Sequence, residues 1–269
     1  MKRFNKILED IKEVKIQGAE NIAKAGMKAF LLNPNKNSAK KILLTRPTEP
    51  LMQNSIKLLL KSKNQARQAK KILLYLKKSK SKISKAGSKL VKKDMNIYSH
   101  CHSSTVIDIL KSAKKLGKDF VVYTTEVEPL LQGRKTALEL NKSKIKVIVA
   151  PDLAAEQTLK KCDLLLFGAD AFLKKGVVNK IGTSILCKIA KENHIPAYVC
   201  GVSLKFTKKI KMEIRKQNEV WQNNHKTIEV FNPAFDFVKK KLITGVISEF
   251  GILSYKEFIK LAKNNLKKF

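Results

Sequence analysis

From residue 96 onward, short apolar runs alternate with stretches of helical periodicity. The runs occupy 96–98, 120–123, 145–149, 164–167 and 197–200. The intervening stretches, 106–116, 130–140, 153–160 and 184–192, carry apolar residues at helical spacing. Strands that are apolar on both faces must be covered on both faces. With a helix between each pair, they pair in parallel. The pattern therefore predicts an α/β unit with a doubly wound, mainly parallel sheet over 94–269.

The first 93 residues read differently. Ile7, Ile11, Val14 and Ile16 begin an apolar stripe, and Ile22 to Leu31 continue it after Gln17-Gly18-Ala19. Asn33-Pro34-Asn35 and the prolines of Thr45-Arg46-Pro47-Thr48-Glu49-Pro50 interrupt the helices, because proline cannot sit inside one. Two lysine-faced helices follow, around 51–60 and 72–76. A helical N-terminal domain over 1–93 is expected, with the boundary near Lys92-Lys93-Asp94.

Charge narrows the classes of partner. The chain holds 56 Lys+Arg against 22 Asp+Glu, a net charge of +34, and 14 of the basic residues lie between Glu49 and Asp94 with no acid among them. Such a surface suits a polyanion such as RNA. It equally suits a solvated helical face in a lysine-rich proteome, and both readings stay open. No apolar run approaches the ~20 residues of a membrane span. The start, Met1-Lys2-Arg3-Phe4, lacks the apolar core of a signal peptide, so a cytoplasmic protein without membrane contact is expected. Cys101, Cys162, Cys187 and Cys200 form no C-x-x-C pair, which leaves no zinc-type spacing. They are expected as thiols.

Parallel sheets place ligand sites beyond the carboxyl ends of their strands. Read in order, those ends are Cys101-His102-Ser103-Ser104, Thr124-Thr125-Glu126, Pro151-Asp152, Gly168-Ala169-Asp170 and Gly201-Val202-Ser203-Leu204-Lys205. Cys101 lies between a strand end and a helix whose N-cap is Ser103 or Ser104. A helix N-terminus attracts anions and can lower a thiol pKa. His100 and His102 flank the thiol and either could polarise it. Asp170 could act as an acid or base if burial raised its pKa, or cap a helix. Asn179-Lys180-Ile181-Gly182-Thr183 leads into a helix whose free N–H groups could hold phosphate. Arg134, after Gln132-Gly133, and Lys205 are candidate phosphate contacts or simply exposed cations. Neither a G-x-G-x-x-G nor a Walker-type loop is present.

These residues, in this order, resemble the family that joins the alpha, beta and delta subunits of translation initiation factor 2B with ribose-1,5-bisphosphate isomerase and methylthioribose-1-phosphate isomerase. The resemblance also runs through Ile16-Gln17-Gly18-Ala19, Thr45-Arg46-Pro47-Thr48, Thr125-Glu126 with Pro129, Lys205-Phe206 and Asn232-Pro233-Ala234-Phe235-Asp236, so it covers nearly the whole chain. It implies a helical domain followed by a Rossmann-like domain, assembled as a homodimer or higher homo-oligomer. In the isomerase branch Cys101 and Asp170 would be the catalytic pair. Cys101 would carry a proton between adjacent sugar carbons and Asp170 would manage the oxygen protons, with no metal or nicotinamide cofactor. Asn179 and Lys180 would hold the sugar phosphate, helped by Gly18 and Arg46. Ser103, Ser104, Gln132, Gly133, Arg134 and Lys205 complete the expected substrate contacts. Gln17 and Glu128 stand where the bisphosphate isomerases carry arginine, and Glu128 would face a phosphate repulsively. Two functions are compatible with the resemblance. One is an aldose–ketose isomerase acting on a sugar phosphate. The other is a non-catalytic initiation factor 2B-like subunit that binds a nucleotide or sugar phosphate and contacts RNA or initiation factor 2 through its basic helices.

Overall fold

The computed structural model describes residues 2–222 and 225–269. Five helices precede the first strand: α1 (Lys2–Lys12), α2 (Ala19–Leu32), α3 (Lys36–Thr45), α4 (Pro50–Lys61) and α5 (Gln65–Gly87). Their ends follow local chemistry. The Asn35 side chain accepts from Ser38 N–H and the Asn64 side chain from Arg67 N–H, each supplying an acceptor to an otherwise unpaired first-turn donor. Pro50 occupies the first turn of α4, where its missing N–H costs nothing. Along α5 the buried residues Ala69, Ile72, Leu76, Ser79, Ile83 and Gly87 form one stripe, and the lysines fall on the solvent side. None of the helices among the described residues is long and apolar enough to cross a membrane.

The expected alternation holds from residue 96. The order is β1 (Asn96–His100), α6 (Ser104–Lys115), β2 (Val121–Thr125), α7 (Gln132–Asn141), β3 (Lys146–Ala150), α8 (Ala155–Leu159) and β4 (Leu164–Gly168). After the short strands β5 (Ala171–Leu173) and β6 (Gly176–Lys180) come α9 (Thr183–Glu192) and β7 (Ala197–Cys200). The chain then ends with β8 (Phe235–Lys239), β9 (Gly245–Ser248), β10 (Gly251–Leu253) and α10 (Tyr255–Lys268). The main sheet has seven strands in the order β10-β9-β7-β4-β1-β2-β3. All its pairs are parallel except β9 with β10.

Two parts of the sheet structure are absent from the periodicity. β9 and β10 extend the sheet at one edge. β5, β6 and β8 form a separate three-stranded antiparallel sheet. No helix separates β5 from β6 or β9 from β10, so these strands fall outside the strand–helix alternation that marks the others. Asn179 and Lys180 therefore end a strand instead of lying in the loop before α9.

α5 joins the helices to the sheet. Gly87 lies so close to Ile109 of α6 that an added Cβ would come within 2.6 Å of its side chain. One continuous apolar cluster runs from Phe4, Ile22 and Phe30 through Ile56, Ile72 and Ile83 to Ile97, Val122 and Leu166. A second, on the opposite face of the sheet, contains Tyr98, Phe167, Phe172, Leu186 and Phe258.

Candidate active site

β1 and β4 are neighbours in register, with His100 opposite Phe167. Cys101 follows the end of one strand, and Asp170 lies two residues beyond the end of the other. Both line a cavity of about 190 Å³ between the helical part and the strand ends. The cavity wall also includes Gly18, Arg46, Ser103, Ser104, Gln132, Asn179, Lys180 and Lys205. Ten of the twelve residues expected from sequence thus converge. Gly133 and Arg134 do not line it. Gly133 packs α7 onto the end of β2, where a Cβ would fall 1.6 Å from Thr125 O. Arg134 is more than half exposed and pairs with Glu126. Glu128 is exposed and outside the wall, so it repels no ligand there.

Cys101 has φ +65°, the left-handed region that a residue with a Cβ seldom adopts. Such strain concentrates at functional sites. Its thiol donates to Gln132 Oε1 at 3.3 Å. Burial pushes the thiol up to about 12, and the carboxylate of Asp170 pushes in the same direction. The expectation of a lowered thiol pKa is therefore corrected. Ser103 is the N-cap of α6, its hydroxyl accepting from Val106 N–H, and desolvation outweighs the helix end. Neither histidine reaches the thiol. His102 Nδ1 bonds Thr136 Oγ1 at 3.1 Å, and its Nε2 lies 3.5 Å from Glu139. Thr136 donates to Cys101 O at 2.9 Å, so this chain of bonds holds the backbone of Cys101.

Asp170 is also pushed up, first by burial, against the pull of Lys205, Arg46 and Lys180. Its own N–H donates to Val178 O at 2.9 Å. With its amide nitrogen turned inward, Asn179 donates to Asp170 Oδ2 at 3.3 Å and to Gly168 O at 3.1 Å. A Cβ at Gly168 would meet Ser103 Oγ at 2.7 Å, so glycine lets the end of β4 pack against the start of α6. Lys205 Nζ donates to Ala169 O, which anchors a cation beside the carboxyl.

The N-terminus of α9 is not open to phosphate. Asp236 Oδ2 accepts from Gly182 N–H (3.1 Å) and Ser184 N–H (2.9 Å), so a carboxylate already fills it. Burial raises Asp236 to about 6. Lys180 remains in the cavity wall, buried, on β6.

His100 is buried beneath the site and donates from Nε2 to Ile181 O at 2.9 Å, while its Nδ1 has no partner. Burial lowers it from 6.5 to about 4. The unfolded chain therefore binds an extra proton between those two values. This contribution to stability is complete above pH ~6.5 and is lost as pH falls towards 4. Urea melts of wild type and His100→Asn at pH 7 and pH 4.5 test this. The gap in stability should narrow at the lower pH by about 2–3 kcal/mol. An unchanged gap would mean that the buried imidazole is not held neutral.

Sequence reasoning missed part of the wall. Glu49, at the start of α4, lines the cavity, as do Arg215 and Glu219 from the irregular segment between β7 and β8. Arg46 Nε bonds Glu213 Oε2 at 3.1 Å, and Arg215 bonds both Glu213, at 2.9 Å, and Glu219. Alternating charge in Lys211-Met212-Glu213-Ile214-Arg215 gives no periodic signal. The carboxylate directly after Arg46-Pro47-Thr48 was the one available hint.

A parallel sheet with a thiol and a carboxyl at adjacent strand ends, closed by a helical cap, defines the class. The chain belongs to the Initiation factor 2 subunit family, whose pattern matches residues 8–255. It is 31% identical over 275 residues to ribose 1,5-bisphosphate isomerase of Methanocaldococcus jannaschii, covering 91% of this chain and 89% of that protein. It is also 31% identical over 266 residues to a putative translation initiation factor eIF-2B subunit 2-like protein of Pyrococcus furiosus, covering 92% and 95%. The crystal structure of the Pyrococcus horikoshii translation initiation factor eIF-2B superposes with TM-score 0.87 at 27% identity, over 96% of this chain and 99% of that one.

Proposed function

We propose that the protein is a sugar-phosphate isomerase that interconverts an aldose phosphate and a ketose phosphate, with Cys101 and Asp170 as its proton-transfer pair. The observation that carries this reading is the pair itself. A half-buried thiol and a carboxyl, each pushed up by burial, face one cavity with Lys180 and Lys205 in its wall. A nucleophilic thiol is normally held low, whereas this one is suited to holding and returning a proton.

The steps balance without a redox partner. Asp170 carboxylate takes the thiol proton as substrate seats, giving thiolate and carboxylic acid. Protonating Asp170 removes the negative charge that helps keep the thiol up. Asp170 then delivers its proton to the ring oxygen as the C1–oxygen bond of the ring breaks. Cys101 takes the proton from C2, leaving a C1–C2 double bond. Asp170 accepts the proton of the C2 hydroxyl as the ketone forms, and Cys101 returns its proton to C1. Lys180 is placed to hold the phosphate. The relatives named as ribose 1,5-bisphosphate isomerases support the reaction class.

Purified protein incubated with a panel of aldose phosphates should produce the corresponding ketose from at least one. Folded protein that converts none of them overturns the reading. A second reading, a non-catalytic subunit that binds a nucleotide or sugar phosphate, is favoured by the near-complete coverage of the eIF-2B-like relative and by the lysine face of α5. It calls for salt-sensitive association with tRNA, ribosomes or initiation factor 2. Assembly as a homodimer or higher homo-oligomer is part of the proposal. The segment that walls the cavity with Arg215 and Glu219 exposes Ile214, Trp221 and Phe231 on its outer side.

A further inference from the structure

Glu49 is a carboxylate that its structural role does not account for. It occupies the N-cap position of α4, yet its side chain makes no capping bond. Only 2% of the residue is exposed, and it lines the cavity. One oxygen lies 3.6 Å from Arg46, beyond hydrogen-bond range, and the other, Oε2, has no partner. Arg46 does not need it, since Glu213 already bonds its Nε at 3.1 Å. A buried acceptor left unpaired is costly, and a ligand donor would remove that cost.

The charges around it indicate what that donor is. Two guanidiniums of this wall, Arg46 and Arg215, are surrounded by Glu49 and Glu219 from the wall and by Glu213 outside it. No cation there is left over for a phosphate. Of the other cations in the wall, Lys80 pairs with Asp108, whereas Lys180 and Lys205 enter no ion pair among the described residues. The guanidiniums of the wall are thus taken up by carboxylates, which leaves Lys180 and Lys205 to hold one phosphate. Burial and the nearby Asp170 raise Glu49 to about 8, so near neutral pH its carboxyl can give as well as take a hydrogen bond.

We propose that Glu49 is a substrate-recognition residue whose free oxygen takes a hydroxyl at the unphosphorylated end of the sugar, making a sugar monophosphate the preferred ligand over a bisphosphate. This rests on the sugar-phosphate reading above, and the test separates the two.

Calorimetric titration of full-length Cys101→Ser protein with ribose 1-phosphate, ribose 5-phosphate and ribose 1,5-bisphosphate reads binding without turnover. At least one monophosphate should bind as tightly as the bisphosphate or tighter. Adding Glu49→Ala should weaken that monophosphate about tenfold, while the bisphosphate changes less than about threefold. Adding Glu49→Gln, which keeps an oxygen acceptor and an N–H donor, should stay within about threefold of the parent for the monophosphate. Bisphosphate binding tighter than both monophosphates overturns the proposal and leaves the isomerase reading standing. So does a Glu49→Ala variant, folded by thermal melt, that weakens all three alike. Folded parent protein that binds none of the three overturns the sugar-phosphate reading, and this proposal with it.

Discussion

Cys101→Ser should lower turnover of the aldose phosphate about 10³-fold, within the range that a positioned acid or base supplies, while leaving substrate affinity nearly unchanged. Serine keeps the size and the bond to Gln132, but its hydroxyl holds its proton far more strongly than a thiol does. The chemical step therefore loses its base, whereas the cavity keeps its shape. Asp170→Asn should be as severe, for a different reason: the amide can neither take the thiol proton nor pass one to a ring oxygen. Because the two residues act on one proton inventory, the double variant should be hardly worse than either single variant. The check is steady-state kinetics on the best substrate of the panel, with thermal melts to show that all three variants fold. Turnover that survives Cys101→Ser, or two losses that multiply, would remove the proposed pair.

The juxtaposition of Cys101 and Asp170 was readable in advance because parallel strands put their carboxyl ends together wherever the sequence places them. Cys101 and Asp170 are 69 positions apart in the chain yet follow adjacent strands, and the short apolar runs before them were plain. Three features were hidden for physical reasons. The sign of the thiol shift depends on burial under the helical cap, and no local motif around Cys101 encodes that cap. The filling of the α9 N-terminus by Asp236 depends on a strand 52 residues downstream of Ser184 that pairs with β6. The carboxylates of Glu49, Glu213 and Glu219 around Arg46 and Arg215 come from the start of α4 and from a segment without periodicity, so only the folded chain brings them together. Conversely, Arg134 looked like a phosphate clamp because it starts a helix after a strand. The neighbouring Glu126 claims it, a pairing eight residues apart that could have been weighed from the sequence.

Glu249→Ala should destabilise the protein by about 3 kcal/mol, the cost of leaving buried donors unpaired. Glu249 sits in the turn between β9 and β10, 6% exposed. It accepts from Ser203 N–H at 3.0 and 3.2 Å, from Ser203 Oγ at 2.5 Å and from Tyr75 OH. Asn265 Nδ2 donates to both hydroxyl oxygens, at 2.7 Å to Tyr75 and 2.9 Å to Ser203. The four residues come from α5, the turn after β7, the β9–β10 turn and α10, so one carboxylate ties the helical part to the far edge of the sheet. Burial, and then the Glu249 charge, raise the Tyr75 hydroxyl, which keeps it a donor. Alanine would strand the buried Ser203 N–H and leave the two hydroxyls, 3.1 Å apart, with one acceptor fewer than they have donors. In a chain of this size the loss should appear as a fall in melting temperature of roughly 6–12 °C. Tyr75→Phe removes one donor together with its need for an acceptor, so combining it with Glu249→Ala should cost less than the sum of the two. A fall below ~1 kcal/mol for Glu249→Ala, or strict additivity in that cycle, would show that the network is not a cooperative unit. The consequence reaches the cavity, because Ser203 and Lys205 share one short helical turn. Loosening that turn frees the lysine that donates to Ala169 O beside Asp170, so Glu249→Ala should also weaken substrate binding at temperatures where the protein is still folded.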